Sequence, residues 1–137
     1  MSALDLGDRL TASAPPPEEL VLTRTDIVRY AGAAGDFNPV HHSEPYAQEV
    51  GHTGVFAMGL LPGGILAARA QSWASPDQLA EVDMRFGGLV LPDVTYLLVS
   101  EVHGPVPSGE GISVELRLVD AEGSTKVRVR AVIRTVR

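Results

Sequence analysis

The stretch that decides the fold is residues 55–73, V-F-A-M-G-L-L-P-G-G-I-L-A-A-R-A-Q-S-W. It is apolar on almost every side until Arg69, and a helix of that composition is typical of a buried position. Proline is tolerated only in the first turn of a helix, so Pro62 predicts a helix that begins between Ala57 and Leu60. We therefore expect one central helix that the rest of the chain must cover.

Strand patterns lie on both sides of this helix. Five runs are predicted strands: residues 19–23 before the helix, and 78–86, 94–102, 111–120 and 124–136 after it. The last two alternate apolar and polar side chains and are joined by a turn at Gly123, which predicts an antiparallel hairpin. The fold class expected is α+β, a curved antiparallel sheet wrapped around one central apolar helix, known as the hot-dog fold. The 137 residues suit a single domain over 1–137.

Composition narrows the classes of function. The chain has no cysteine, which excludes disulfides and thiolate metal sites, and its net charge of −6 carries no large basic cluster. The arginines near the C-terminus alternate along a strand pattern and indicate a solvated strand face rather than a nucleic-acid site: Arg128, Arg130, Arg134 and Arg137. No signal peptide and no membrane span are apparent, so a cytoplasmic location is expected.

A short helix is predicted over residues 26–33, between the first strand and the polar segment that follows. Thr23 or Thr25 offers an N-cap, and Gly35 is expected to end the helix. Its inner face is expected to carry Ile27, Val28 and Ala31.

The densest candidate site is residues 30–42, Y-A-G-A-A-G-D-F-N-P-V-H-H. Asp36 and His41 lie five residues apart across a turn that Pro39 makes rigid, so their side chains can converge on one point. A carboxylate and an imidazole that converge on one water form a general acid/base pair. Asn38 can hydrogen-bond to the loop backbone.

Simpler interpretations of these residues stay open. Asp36 could be an ordinary turn residue, and with His41, His42 and His52 it could bind a metal. Adjacent histidines point in different directions and no pair has helical i+4 spacing, so no metal is expected and His42 and His52 are interpreted as surface residues.

Aromatic residues elsewhere are equally open to two interpretations. Tyr30 and Phe37 could line a substrate pocket or simply pack around the loop. Trp73 indicates packing or a dimer contact, and His103 is given no role.

The run G-D-F-N-P-V-H at residues 35–41 closely resembles the signature of the MaoC-like and R-specific enoyl-CoA hydratase family. Three further segments resemble the same family: L-D-L-G-D-R-L at 4–10, L-T-R-T-D-I-V-R-Y-A-G at 22–32 and R-F-G-G-L-V-L-P-D-V at 85–94. The resemblance therefore spans nearly the whole chain. As a whole, the sequence resembles those of small actinobacterial 3-hydroxyacyl dehydratase subunits.

The resemblance implies an activity and a set of roles. It implies a hydratase/dehydratase that interconverts 2-enoyl and 3-hydroxyacyl thioesters, with Asp36 and His41 holding the catalytic water and Asn38 orienting the loop. It places the thioester oxygen at the backbone N–H of Gly59, where the start of a helix offers unpaired amides and a positive dipole. Met58 is expected at the substrate, together with Tyr30 and Phe37.

The resemblance also implies partners. The substrate would be an acyl thioester of coenzyme A or of an acyl carrier protein, and no cofactor would be needed. A homodimer is expected, or a heterodimer with a paralogue that lacks the motif, in which this chain would be the active half. The basic residues that could bind the carrier at the mouth of the substrate tunnel are Arg69, Arg85 and Lys126. The sequence does not predict where they lie relative to that mouth.

Three departures from the family pattern keep other functions open. Met58 replaces the family's histidine in A-H-G-M, the P-G-D turn is Pro92-Asp93 without the glycine, and Gly63-Gly64 could make room for an unusual substrate. The alternatives are a tailoring dehydratase of a biosynthetic pathway, a hot-dog thioesterase and a subunit of a heterodimeric dehydratase.

Overall fold

A computed structural model describes residue 9 and residues 15–135 of the chain. Nearly all of the segment 4–10 that carries part of the resemblance, as well as Arg137, lies outside the described residues. The elements in chain order are β1 (Glu18–Val21), α1 (Arg24–Ala34), a 3₁₀ turn (Pro39–His41), α2 (Glu44–Glu49), α3 (Leu60–Gln71), a second 3₁₀ turn (Pro76–Gln78), β2 (Leu79–Phe86), β3 (Thr95–Pro105), β4 (Gly111–Val119) and β5 (Thr125–Arg134).

The five strands form one antiparallel sheet in the order β1-β3-β4-β5-β2. The sheet packs against α3 through β2, β4 and β5, which confirms the predicted α+β, hot-dog architecture. The predicted β4–β5 hairpin is confirmed, and the predicted strand ends differ from the observed ones by at most three residues. None of the helices that the structure describes is both long and apolar enough to cross a bilayer.

The core lies between α3 and the inner face of the sheet. On β4 and β5 every second side chain is buried there: Ile112, Val114, Leu116, Leu118, Val127, Val129, Ala131 and Ile133. The helix contributes Pro62, Gly63, Leu66 and Ala70. The apolar side chains at every second position of these strands thus pack against one face of the helix. The side chains between them form the outer face of the sheet.

Two burial predictions are wrong. The central helix is buried on one side only, because Leu60 is 58% exposed and Gly64 and Ala68 are exposed with it. A single sheet can cover only one side of a helix, so these residues, spaced four apart, stay uncovered in one chain. On α1, Ile27 and Ala31 are buried as predicted, but Val28 is 54% exposed since it lies a quarter turn away from them.

Candidate active site

Asp36 is positioned by the way α1 ends. Gly35 adopts a left-handed conformation with φ of 70°, and its N–H donates to the carbonyl of Ala31. The N–H of Asp36 donates to the same carbonyl at 3.1 Å. Glycine pays no steric penalty in this conformation, which turns the chain sharply out of the helix. The predicted stop at Gly35 is confirmed, and the carboxylate emerges directly beyond it.

Thr23 holds the other end of the same helix. Its hydroxyl oxygen accepts from the N–H of Asp26 at 3.1 Å, and its own N–H donates to the Asp26 carboxylate at 2.8 Å. Hydrogen bonds from Thr23 lower the pKa of Asp26 below its usual value. Of the two N-caps that the sequence offered, Thr23 and not Thr25 is used. The helix that places Asp36 is therefore fixed at both ends.

Asn38 shapes the loop between the two reactive side chains. Its side-chain oxygen accepts from the N–H of Val40 at 3.3 Å and caps the 3₁₀ turn, while its backbone N–H donates to Asp36 Oδ1 at 3.3 Å. Pro39 occupies the first position of that turn. The Asp36 oxygen Oδ1 is thus engaged by the loop, and Oδ2 is left to face His41.

His41 is buried and its ring is fixed from the opposite side. Its side chain is 8% exposed, and Nε2 lies 3.6 Å from Asp36 Oδ2. Nδ1 lies 2.7 Å from the carbonyl oxygen of Phe56. A carbonyl can only accept, so Nδ1 carries a proton and, in the neutral ring, Nε2 is the basic nitrogen that faces Asp36. The ring also packs edge-on against the Phe56 ring, with centroids 5.2 Å apart.

Asp36 and His41 open onto a cavity of about 470 Å³. The remaining wall is largely apolar and comes from α1, from the start of α3 and from the ends of β2 and β5: Tyr30, Ala34, Phe56, Ala57, Met58, Gly59, Leu60, Phe86, Gly88, Leu89, Val90 and Val127. A concave, mostly apolar pocket with a few converging polar groups is the usual form of a small-molecule site. We call this the catalytic pocket, after the roles that the sequence predicts for Asp36 and His41.

Gly59 lies at the N-terminus of α3, on the wall of this pocket. Within the described residues its N–H donates to no other group, as expected for the residue that caps a helix. Its φ of −56° is open to any residue. A Cβ here would lie 2.8 Å from Cδ1 of Phe86, so a larger residue requires the Phe86 ring to move.

The structure brings five of the seven predicted site residues to the catalytic pocket. They are Tyr30, Asp36, His41, Met58 and Gly59. Asn38 and Phe37 do not line it in the single chain; Asn38 acts on the loop backbone, and Phe37 is 66% exposed.

Two residues that sequence reasoning missed also belong to the site. Phe56 supplies the carbonyl that orients His41, and Phe86 covers Gly59. The only available signal for Phe56 was its place next to the Ala57-Met58-Gly59-Leu60 segment. Phe86 comes from a distant strand, so only the folded chain reveals it.

The glycines at the start of α3 have a different role from the one predicted. Neither Gly63 nor Gly64 lines the catalytic pocket. A Cβ on Gly63 would lie 2.8 Å from the sulfur of Met84, so this glycine lets β2 approach the helix closely. Gly64 lies on the exposed side of the helix.

The departure at Pro92-Asp93 has a visible backbone consequence. Asp93 adopts φ of 60°, the left-handed conformation that a glycine takes most easily, and among the described residues it is the only non-glycine to do so. Its N–H donates to the carbonyl of Leu22 at 2.7 Å, which fixes the turn against the end of β1.

The other histidines lie around the loop or on the sheet. His42 Nε2 lies 3.3 Å from the carbonyl of Phe37, and the ring of His52 packs against Phe56. The potential metal ligands that the described residues do bring together are Glu101, His103 and Glu115, on the outer face of the sheet.

None of the three basic candidates for the carrier lines the catalytic pocket. Arg69 is paired with Glu18 at 2.5 Å and Lys126 with Asp120 at 2.8 Å. Arg85 lies on the outer face of the sheet, where its Nε is 3.5 Å from Asp83. Trp73 is partly buried against the core, so the packing interpretation of this residue is confirmed.

A family model described as a MaoC-like domain matches residues 9–124. Among solved structures, this chain is similar to the ChsH1–ChsH2 complex from Mycobacterium tuberculosis, with 24% identity, a TM-score of 0.76, and coverage of 88% of this chain and 94% of the other. It is similar to an R-hydratase, PhaJ1, from Pseudomonas aeruginosa, with 21% identity, a TM-score of 0.74, and coverage of 88% and 78%.

A third similar structure is the HadBC (3R-hydroxyacyl-ACP dehydratase) complex from Mycobacterium tuberculosis, with 14% identity and a TM-score of 0.69. It covers 86% of this chain and 90% of the other. These likenesses show a shared fold.

Proposed function

Since this chain belongs to the MaoC-like domain family of hydratases and dehydratases, we propose that it is a hydro-lyase that interconverts a 2-enoyl thioester and a 3-hydroxyacyl thioester. The observation that carries the proposal is the pairing of Asp36 and His41, 3.6 Å apart, on the wall of an apolar pocket that also contains the start of α3. The substrate would be an acyl group on coenzyme A or on an acyl carrier protein.

The hydrogen-bond pattern assigns a role to each member of the pair. Asp36 Oδ2 and His41 Nε2 are both acceptors when His41 is neutral, so one water between them donates a hydrogen bond to each. As the oxygen of that water attacks the β-carbon of the enoyl group, Asp36 takes a proton with the help of His41. The α-carbon then receives the proton that the Asp36–His41 pair took from the water, which completes the addition of water and restores the pair. Dehydration follows the same steps in reverse.

Gly59 is proposed to hold the thioester oxygen as negative charge develops on it. Its N–H has no partner among the described residues and lies at the helix N-terminus, where the dipole favours negative charge. A donor placed in advance in an apolar pocket stabilises an enolate more strongly than water does. Met58, which is buried beside it, would contact the acyl chain, and Tyr30 forms the facing wall.

The first experiment compares wild type with Asp36→Asn on crotonyl-CoA. We expect wild type to remove the absorbance of the conjugated enoyl thioester and to form a product that is heavier by one water, with the thioester intact. Asp36→Asn should retain the fold and lose turnover by roughly 10²–10⁴-fold, the scale of a lost general base. Asp77→Asn, an exposed aspartate outside the pocket, is the matched control.

Three results would contradict this proposal. Release of free thiol from the thioester would indicate a thioesterase. Near-normal turnover by a folded Asp36→Asn variant would remove Asp36 from the mechanism. Longer enoyl thioesters are tested in the same assay, since failure with every chain length would also contradict hydratase activity.

We also propose that the chain works as a dimer. β2 is an edge strand of eight residues whose outer hydrogen-bonding groups have no strand beside them among the described residues, and Val82 and Phe86 on it are exposed. Leu60 on the uncovered side of α3 adds to this apolar area, and exposed edges of this kind favour strand pairing. Two of the similar structures are complexes, ChsH1–ChsH2 and HadBC.

Light scattering of the purified chain tests this assembly. A dimer that Val82→Lys converts to monomer, with the fold retained, is the expected result. A wild-type monomer would contradict a homodimer, and a paralogue that then pairs with it would indicate the heterodimer.

A further inference from the structure

The outer face of the sheet carries a row of three arginines on neighbouring strands. Arg117 on β4 lies directly opposite Arg128 on β5, and Arg128 lies directly opposite Arg85 on β2. Residues directly opposite each other in an antiparallel pair have Cβ atoms only about 5 Å apart, and like charges in that position destabilise the sheet. Three cations in register are therefore unfavourable in the absence of a bound counter-charge. We call these residues the arginine row.

The neighbouring row on the same face supplies only part of that counter-charge. Glu115 is buried there and accepts from Arg130 Nε at 2.7 Å, while Arg117 Nε lies at 3.6 Å from its other oxygen. Its carboxylate is thus shared between two guanidinium groups, and one of these belongs to the arginine row.

The other two members of the row have still less compensation. Within the part of the chain that the structure describes, Arg85 forms an ion pair only with the exposed Asp83, at 3.5 Å, and both side chains are well solvated. Arg128 forms no direct ion pair with any residue in the described part of the chain, and only its longer-range attraction to Glu115, which helps to lower the pKa of that carboxyl, offsets its charge. Positive charge therefore remains at the centre of the row, although the whole chain has a net charge of −6.

A cavity of about 380 Å³ lies over the row. It is lined by all three arginines and by Glu115, Gly87 and Thr125. The polar contacts that a ligand would meet there are thus guanidinium N–H groups and a hydroxyl, and the one carboxylate is already engaged by Arg130 and Arg117.

We propose that Arg85, Arg117 and Arg128 bind a phosphate group on the outer face of the sheet. Guanidinium groups are planar, always charged and able to donate two parallel hydrogen bonds, which is the geometry that phosphate oxygens accept best. A dianion over the row also offsets the repulsion between the three cations. The binding site does not depend on the proposed hydratase chemistry.

The position of the row relative to the catalytic pocket is compatible with two sources of the phosphate. Val127 lines the pocket and Arg128 lines the arginine cavity, on opposite faces of β5. At the end of β2, Gly87 lines the cavity and Gly88 lines the pocket. The two sites are neighbours around the end of β2, so the phosphate belongs either to a nucleotide carrier whose arm passes this corner or to a free phosphate compound.

Titration calorimetry at low ionic strength tests the site with three probes: inorganic phosphate, adenosine 3′,5′-bisphosphate and coenzyme A. Arg128→Gln removes the central arginine without breaking an ion pair. Arg134→Gln is the matched control, because it changes an exposed arginine on the same strand and the same face, outside the cavity. The free energy of unfolding of each variant is measured alongside, and we expect Arg128→Gln to keep it or raise it.

We expect wild type to bind phosphate with an affinity that falls as salt rises, and Arg128→Gln to weaken binding by roughly three- to tenfold. Arg134→Gln should bind like wild type. An affinity for the bisphosphate well above that for phosphate, with displacement by coenzyme A, assigns the site to a nucleotide carrier. Equal affinities assign it to free phosphate.

Absence of phosphate binding in wild type would contradict the proposed phosphate site. Equal binding by wild type and Arg128→Gln, or equal weakening by Arg128→Gln and Arg134→Gln, would overturn it as well. These measurements use no turnover, so their failure is distinct from a failure of the proposed hydratase activity.

Discussion

Val127 and Arg128 are consecutive residues of β5 that serve two different surfaces. Val127 lines the catalytic pocket on the inner side, and Arg128 lies at the centre of the arginine row on the outer side. The pocket takes its reactive groups from loops and from a helix end, whereas the row depends on the register of three strands. Local sequence therefore encodes the first, and only the paired sheet creates the second.

The largest effect outside the acid/base pair is expected from Gly59→Val, which disturbs the inner surface alone. A Cβ at this position lies 2.8 Å from the ring of Phe86, and since both residues line the catalytic pocket, the added side chain reduces the space where a thioester would approach the helix start. We expect turnover on crotonyl-CoA to fall by roughly 10²–10³-fold, the scale of a lost oxyanion donor. Steady-state kinetics with a check of folding by circular dichroism measures this loss.

Combining Gly59→Val with Phe86→Ala separates the two causes of that loss. The double variant removes the clash with the ring but keeps the valine beside the amide. Partial recovery of folding stability without recovery of turnover is expected. Unchanged turnover in folded Gly59→Val would mean that the oxyanion donor lies elsewhere.

A moderate effect, confined to the outer surface, is expected from Glu115→Gln. Burial raises the pKa of this carboxyl, but the hydrogen bond and the charge of Arg130 outweigh burial, so the pKa lies below its usual value. Replacing a buried, charge-assisted hydrogen bond by a neutral one should lower the free energy of unfolding by about 1–2 kcal/mol near neutral pH. Urea denaturation of the two proteins measures the difference.

The pH dependence of this difference follows from the direction of the pKa change. A carboxyl whose pKa is lowered by folding stabilises the protein above the pKa that it has in the unfolded chain, about 4.3 for glutamate. That stabilisation is lost as the pH falls through the lower, folded pKa. The difference between wild type and Glu115→Gln should therefore shrink from pH 5 to pH 3. A difference that grows on acidification would contradict the assigned direction.

The difference between the inner and outer surfaces also explains which features could be predicted from the sequence. The inner surface depends on periodicity and on one contiguous loop, so the helix start near Leu60, the β4–β5 hairpin and the proximity of Asp36 to His41 followed from the sequence pattern. Gly35 and Pro39 fix the backbone between the two side chains whatever surrounds them. Local rules were sufficient for these features because each rests on residues close in the chain.

Features that join distant segments could not be predicted in the same way. The prediction that α3 is buried all round failed because composition does not reveal how many sides a sheet can cover. The contact of Phe86 with Gly59 joins β2 to the helix start. Of the arginine row, only Arg128 was interpreted as part of a solvated face, because Arg117 and Arg85 become its neighbours only through strand pairing.

The smallest effect is expected at Asp93, in a turn that belongs to neither surface. Its φ of 60° favours glycine, and its N–H bond to Leu22 does not depend on the side chain. We expect Asp93→Gly to be more stable than Asp93→Ala by about 1 kcal/mol, with wild type between them, since aspartate tolerates the left-handed region better than alanine does. Both variants remove the same charge, so thermal unfolding of the pair isolates the backbone contribution. An alanine variant as stable as the glycine variant would show that the turn relaxes to another conformation, and the missing glycine of Pro92-Asp93 would then carry no conformational cost.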